Sequence, residues 1–446
     1  MTHQLIIIGA GPGGYEVAVK AAKEGLSVLI VEARHVGGTC LNEGCIPTKC
    51  LCRNAALLQE IKEAGALGIS TGEINFDLAA AIERKNNVVE RLTSGIQTLL
   101  KTPGITLVSG MARFIDDHTI EVEGKRYSAD NIIIATGSVS KFLPIEGAHS
   151  RDVVTSTELL NIKNIPARLC IIGGGVIGME FASIFNAFGS RVTVVEYCKE
   201  ILPTFDRDIA KRLRTTLKKQ GISFKTGAAV TAIRQEEGYS TVEYTEKSDT
   251  QTVDTDIVLM AVGRAANLAS LNLSDIGIDF TPKGITVNGN MQTSVPHIYA
   301  VGDINGLCQL AHAATFQSYR ALNHILGRTD NIDFNIIPAA VFTSPEVATV
   351  GLSEENAEAK NIPYSTHKAF YRANGKALSM GAEEGILKLL TDKDDIIIGC
   401  HIMGEHAADM IHEAALLIQN HTTLSQLSNC IHAHPSLSEI YLAAAE

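Results

Sequence analysis

The run Gln4-Leu5-Ile6-Ile7-Ile8-Gly9-Ala10-Gly11-Pro12-Gly13-Gly14 opens the chain with an unbroken apolar stretch that gives way to a glycine-rich turn. The apolar part, Gln4–Ile8, reads as a buried strand, and a helix-like run follows the turn. Ser27–Val31 reads as a second strand, closed by Glu32. The same unit returns further on. Leu169–Ile172 leads into Gly173-Gly174-Gly175-Val176-Ile177-Gly178, a helix follows, and Arg191–Val195 ends at Glu196. From Gly9 to Glu32 and from Gly173 to Glu196 the spacing is the same, 23 positions.

A lone GxGxxG is weak evidence, since glycine turns also occur in nucleotide-free α/β domains. Here each copy follows a strand, opens a helix and leads to an acid at the end of the next strand, which is the whole dinucleotide fingerprint. Gly9 and Gly173 allow the tight turn. Gly11 and Gly175 let backbone N–H groups approach a pyrophosphate at the helix N-terminus. Gly14 and Gly178 let helix pack close on strand, and Glu32 and Glu196 can accept hydrogen bonds from a ribose. Two copies imply two dinucleotides. A carboxylate at Glu196 repels a 2′-phosphate, and no arginine follows within the next few positions, so NAD is expected over NADP at the second site.

Asn131–Gly137 and Ile257–Gly263 read as further short strands ending in glycine, and Ile298–Asp303 closes on a carboxylate. Asp303 can bind a cofactor hydroxyl or cap the next helix, and the sequence leaves both open. After Asn331 the pattern changes to an α+β domain without nucleotide motifs. Strands are expected at Ala339–Thr343, Thr349–Leu352, Ser365–Tyr371 and Ile386–Asp392, with helices at Glu354–Lys360 and Glu405–Gln419. The expected fold is α/β, with two Rossmann-like dinucleotide-binding domains and a C-terminal α+β domain. Its boundaries are 1–140 for a first nucleotide segment, 141–260 for the second nucleotide domain, 261–330 for a segment completing the first, and 331–446 for the C-terminal domain.

The formal charge of −11 argues against nucleic acid or an anionic membrane as partner. Leu169–Phe188 is apolar, but Gly173, Gly174, Gly175, Gly178 and Glu180 do not fit a membrane span. Nine cysteines, and a first strand that begins almost at once, point to a reducing cytoplasm and a protein without a leader. In that compartment a disulfide is more often catalytic than structural.

Cys40 and Cys45 lie in Gly37-Gly38-Thr39-Cys40-Leu41-Asn42-Glu43-Gly44-Cys45-Ile46-Pro47-Thr48-Lys49. Five residues of regular helix advance ~7.5 Å, beyond the ~4.4–6.8 Å between Cα atoms that a disulfide prefers. The chain is therefore expected to depart from regular helix between them, and Gly44 permits it. Redox chemistry suits such a pair. Zinc held by Cys40, Cys45, Cys50 and Cys52 is a second reading, against which the usual C-x2-C spacing is missing, and inert thiols are a third. Near the other end, Cys430-Ile431-His432-Ala433-His434-Pro435-Ser436-Leu437-Ser438-Glu439 holds a base that thiol exchange would need. His434 with Glu439 fits that role. The same residues also fit a capping box from Ser436 to Glu439, or a Cys430/His432/His434 metal site.

With these motifs in order, the chain resembles the flavin-dependent pyridine nucleotide–disulfide oxidoreductases over nearly its whole length. The form Cys-Leu-Asn-x-Gly-Cys-Ile-Pro-Thr-Lys is similar to that of the branch acting on lipoyl dithiols. The resemblance implies FAD at the first fingerprint, with Gly9, Gly11, Gly14, Glu32 and Asp303 among its contacts, and Thr39, Thr136, Gly137, Gly263, Gly302, Ala311 and His312 as further cofactor-binding residues. It implies NAD at Gly173, Gly175, Gly178 and Glu196, and a Lys49–Glu180 ion pair beside the flavin. Cys45 would lie against the flavin, Cys40 would exchange with substrate, and His434 with Glu439 would be base and partner, supplied across a homodimer. No metal is implied. The activity would be reoxidation of dihydrolipoyl groups on the lipoyl domains and acyltransferase core of a 2-oxoacid dehydrogenase or glycine cleavage complex. An NADPH-dependent glutathione-type reductase and a non-enzymatic flavin-binding scaffold are the rivals. Gly263-Arg264-Ala265-Ala266-Asn267 departs from the family pattern by lacking its proline, which leaves the shape of that loop open.

Overall fold

The computed structural model describes residues 2–446, which divide into two compact units. The first comprises the chain up to Cys50 with Ala79–Lys141 and Gly263–Ile332. The second comprises Leu51–Leu78, Phe142–Val262 and Asp333–Glu446.

In the first unit, the strand Thr2–Ile8 lies between Val28–Glu32 and Lys125–Ile134 and is parallel to both. Ile105–Ser109 extends one edge and Ile298–Ala300 pairs with Lys125–Ile134. Leu5, Ile6 and Ile7 are fully buried, as expected of a parallel strand covered on both faces. Thr119–Val122 and Ala112–Phe114 add an antiparallel extension. The core of this unit joins Ile6, Leu29, Phe114, Ile132 and Ile298.

In the second unit a parallel sheet has the order Ser223–Thr226, Arg191–Glu196, Arg168–Ile172, Ile257–Met260, Val153–Val154. An antiparallel meander, Ala228–Gln235, Ser240–Glu246 and Asp249–Thr255, follows the first of these strands in the chain. The C-terminal sheet is antiparallel, in the order Ala339–Val341, Glu346–Gly351, Ile397–Gly404, Ile386–Thr391, Ser365–Phe370.

Its central strand, Ile397–Gly404, was not expected from sequence. Gly399, Cys400 and His401 interrupt its apolar pattern. His401 is nevertheless buried, with one ring nitrogen 3.0 Å from the Leu352 carbonyl and the other 2.5 Å from the Thr349 hydroxyl. Tertiary partners thus satisfy a polar side chain that a period-based reading excludes. The expected helices form at Glu354–Ala359 and Ala407–Gln419.

Candidate active site

The two fingerprints are built alike. Gly9 and Gly173 adopt φ of +108° and +112°, and a Cβ on either would stand 2.3 Å from the carbonyl oxygen of Ala135 or Ala261. A Cβ on Gly14 would stand 1.9 Å from the Gly9 oxygen, and one on Gly178 2.0 Å from the Gly173 oxygen. Helix and strand could not approach as they do with a side chain there. Gly175 differs: a Cβ there meets nothing within 4 Å, and at Gly11 only the Gly38 Cα at 3.8 Å. Gly11 and Gly175 are the N-caps of the helices Pro12–Lys23 and Val176–Ala187, and neither helix has a side-chain cap. Two helix N-termini therefore open on space that only the absence of a side chain preserves, and that space suits an anionic pyrophosphate.

Glu32 and Glu196 end their strands as expected. Glu32 accepts the Ala10 N–H at 2.7 Å and the Arg34 N–H at 2.8 Å. Glu196 accepts the Gly174 N–H and, at 2.6 Å, the Cys198 N–H. Each carboxylate thus braces its own glycine loop, and a carboxylate has further lone pairs for ribose hydroxyls.

The cysteine segment rests on the first of these loops. The Gly37 N–H donates to the Ala10 carbonyl at 2.8 Å, and a Cβ on Gly38 would stand 2.7 Å from the Gly11 Cα. A short helix, Gly38–Asn42, carries Thr39 and Cys40; a second, Cys45–Glu63, carries Cys45 and Lys49. Between them Glu43 stands at φ −138° and ψ 9°, so the chain leaves regular helix between the cysteines. Both thiols are half-buried and joined by a hydrogen bond. That bond to Cys45, then burial, pushes the Cys40 thiol far up, while Lys49 pulls it down. The Cys40 thiol therefore holds its proton more tightly than a free thiol does.

Asp303 does not cap a helix side-on. It lies in the 3-10 turn Gly302–Asn305, which has no side-chain cap, and its carboxylate accepts the Ser138 hydroxyl. The Gly302 N–H donates to Gln317 Oε1 at 2.7 Å. The Gly263–Asn267 loop, which lacks proline, is held by backbone pairing. Arg264–Ala266 pairs with Ser138–Ser140, and the Asn267 N–H donates to the Gly137 carbonyl at 3.0 Å beside Thr136. Arg264 donates from Nε to Ser138 Oγ and from Nη2 to the Ser138 carbonyl, both at 2.7 Å. Sequence reasoning missed Ser138, Arg264 and Gln317, because their partners are distant in the chain. Ala311 and His312 begin the helix Ala311–Ile325.

In the second unit Glu180 is buried and accepts the Phe342 N–H at 3.0 Å. His434 Nδ1 lies 2.8 Å from Glu439 Oε1, and Glu439 Oε2 accepts the Ser436 N–H at 2.7 Å. The Ser436-to-Glu439 capping box is not formed. The final helix begins at Glu439 with Ser438 as N-cap, and Ser436 Oγ is buried without a partner. Glu439 therefore serves histidine and backbone together. The Ser436 N–H first, then His434, hold its carboxyl below the usual range. The His434 side chain is 80% exposed, open to a reactant or a second chain. His432 is separately paired, 2.7 Å from Glu413. Among the described residues the only trio of His, Cys, Asp or Glu with converging ligand atoms is Asp117, His118 and His297, so neither Cys430/His432/His434 nor the four early cysteines form one.

Residues 3–318 match the family model described as pyridine nucleotide-disulphide oxidoreductase, and residues 337–445 match its dimerisation domain. The chain belongs to this family. It is 38% identical over 447 residues to a dihydrolipoyl dehydrogenase of Chlamydia muridarum (strain MoPn / Nigg), covering 99% of this chain and 95% of that one. It is 39% identical over 449 residues to that of Geobacillus stearothermophilus, with the same coverage. Among solved structures, the Cu(II) complex of HOCl-induced flavoprotein disulfide reductase RclA from Escherichia coli superposes with a TM-score of 0.90 at 31% identity, covering 100% of this chain and 99% of that one. The protein is an oxidoreductase of the class acting on sulfur groups, and its family uses FAD and NAD(H). The two open glycine loops fit such dinucleotides.

Proposed function

We propose that this protein is a dihydrolipoyl dehydrogenase in which Cys40 and Cys45 form the redox disulfide and His434 is the base. The observation that carries this reading is the broken helix holding both cysteines directly on the first glycine loop. His434, with Nδ1 oriented by Glu439, takes a proton on Nε2 from one thiol of a dihydrolipoyl group. The resulting thiolate attacks Cys40 Sγ, breaking the Cys40–Cys45 bond and leaving Cys45 as thiolate. The second substrate thiol, losing its proton, closes the lipoyl disulfide and releases Cys40. Cys40 then takes up a proton, which its hydrogen bond to Cys45 and its burial favour. When bound, FAD and NAD⁺ supply the two-electron relay and the final hydride acceptor. Gly9, Gly11, Gly14, Glu32 and Asp303 would hold the flavin nucleotide, and Thr39, Lys49, Thr136, Gly137, Glu180, Gly263, Gly302, Ala311 and His312 are assigned to cofactor binding. Gly173, Gly175, Gly178 and Glu196 would hold NAD.

The match to a dimerisation domain supports a homodimer in which His434 serves the cysteine pair of the other copy. The partners would be lipoyl domains of a 2-oxoacid dehydrogenase or glycine cleavage complex. No described helix is long and apolar enough to cross a membrane. The nine cysteines support a reducing compartment, and on that ground we place the enzyme in the cytoplasm. The test is NADH formation from dihydrolipoamide and NAD⁺ by the purified protein. Cys45→Ser should lose flavin reduction by dihydrolipoamide and keep it with NADH. Lack of turnover with dihydrolipoamide, or full turnover in Cys45→Ser, would overturn the reading.

A further inference from the structure

The turn between the two cysteines carries a charge of its own. Glu43, three residues after Cys40 and two before Cys45, has a side chain only 18% exposed. Arg34 grips it with both guanidinium ends: Nη1 donates to Oε2 at 3.2 Å, and Nη2 donates to Oε1. Arg34 is anchored in turn, since its N–H donates to the Glu32 carboxylate that braces the first glycine loop. On the other side, the Glu43 N–H closes the first short helix on the Thr39 carbonyl at 2.9 Å. The fork therefore ties the break between the helices, on which the cysteine geometry depends, to the end of the strand Val28–Glu32.

We propose that Arg34 and Glu43 form a charge-compensated positioning clamp that sets the thiolate equilibrium and redox poise of Cys40 and Cys45. This rests on the redox reading of those cysteines. Glu43 is at most about 7 Å from Cys45 between Cα atoms. The charged atoms extend beyond their Cα atoms, and a bare charge on the order of 10 Å away shifts a neighbouring thiolate equilibrium about threefold at an effective dielectric constant of about 50, between those of water and of a protein surface. Paired with Arg34, the carboxylate exerts little net field. The buried Arg264 guanidinium, which itself feels Glu43 and Arg34, and Lys49 supply positive charge, with Asp303 opposing, and all three are present in every variant.

The sign follows from the chemistry. Oxidation of the pair releases two electrons and forms one S–S bond, with two protons coming from the dithiol form, or one from the thiol–thiolate form and the second from water. The S–S bond of oxidised dithiothreitol takes these up and opens to two thiols. The reduced pair can carry a thiolate and the disulfide cannot, so added negative charge favours the disulfide. Arg34→Gln strands the carboxylate, and should raise the thiol pKa and shift the equilibrium toward disulfide about threefold, about 13 mV. Glu43→Gln strands the guanidinium and should shift both quantities the opposite way. The double variant should return close to the parent, and Arg34→Lys should retain most of the parent behaviour.

The experiment is equilibration of each holoenzyme variant in dithiothreitol buffers, with thiolate absorbance followed against pH. Opposite shifts in the two single variants support the clamp. Shifts of the same sign, or none, overturn it, because a purely structural tie is cut equally by both. A parent that takes up no two electrons at the cysteines refutes the redox reading instead, and the two failures are distinguishable.

Discussion

Replacing Gly175 by alanine separates binding from folding, because the residue faces open space on its own chain. Its backbone, at φ −75° and ψ −175°, is a conformation any residue adopts, and a Cβ there meets nothing within 4 Å. Folding therefore loses no contact, and restricting the unfolded chain favours the native state by about 0.4–1 kcal/mol. A methyl group would, however, stand where a pyrophosphate must approach the helix N-terminus. Displacing it by a fraction of an ångström from those N–H groups should weaken NAD binding at least tenfold, about 1.4 kcal/mol. Gly178→Ala is the contrast. Its Cβ would lie 2.0 Å from the Gly173 oxygen and 3.3 Å from Ile171 Cγ2, so helix must leave strand, at about 1–3 kcal/mol or more. The assay is NADH titration of the holoenzyme alongside thermal unfolding. Unchanged NADH affinity in Gly175→Ala, or a Tm lowered as far as in Gly178→Ala, would refute the assignment of that space to the nucleotide.

The other expectations concern charge. Lys388, fully buried, donates to Asp206 and Glu354 at 2.7 Å, and Asp206 also caps the helix Arg207–Lys219. Asp206→Asn should lower the unfolding free energy by about 3–5 kcal/mol in denaturant titration, and a loss below 1 kcal/mol would show that the buried ammonium has found another partner. Burial lowers the Lys388 pKa, but the carboxylates outweigh it and the net shift is upward. Its stabilisation is present below pH 10.5 and is lost as pH rises through the raised value.

Glu439 runs the other way. Its depressed carboxyl contributes above 4.5, and the contribution is lost as pH falls through the lower folded value. Carboxyl NMR should find its pKa below 4.5 and rising only part of the way back in His434→Gln, because the Ser436 N–H, the larger cause, remains. Glu439→Gln should cut kcat with dihydrolipoamide by about 10²-fold or more, measured with unchanged NADH-driven flavin reduction as control. Glu196 should give NAD⁺ a clear lead over NADP⁺ in kcat/KM, and a preference for NADP⁺ would remove its ribose role.

Local rules were legible where backbone conformation was at stake. Gly9 and Gly173 sit at left-handed φ, and Gly14 and Gly178 sit where a methyl group would strike backbone, so sequence spacing and structure report one constraint. The break between Cys40 and Cys45 was legible for a similar reason, since helix rise and disulfide reach are incompatible. Residues whose role depends on a distant partner were not. Ser138 meets Asp303 across 165 positions, and Lys388 meets Asp206 across 182. The open choice for Asp303 was of this kind: its carboxylate had local and remote partners within reach in principle, and only packing selects among them.

By itself, then, the sequence determined the two nucleotide-type units, the paired thiols and their irregular backbone, because these follow from period, glycine placement and covalent reach over a few residues. Tertiary structure decided which charges meet. It set the cysteine segment on Gly11, put the Arg34 fork on Glu43, and brought Lys388 to Asp206. Electrostatic energies depend on separations across space, and those separations exist only once the chain has folded.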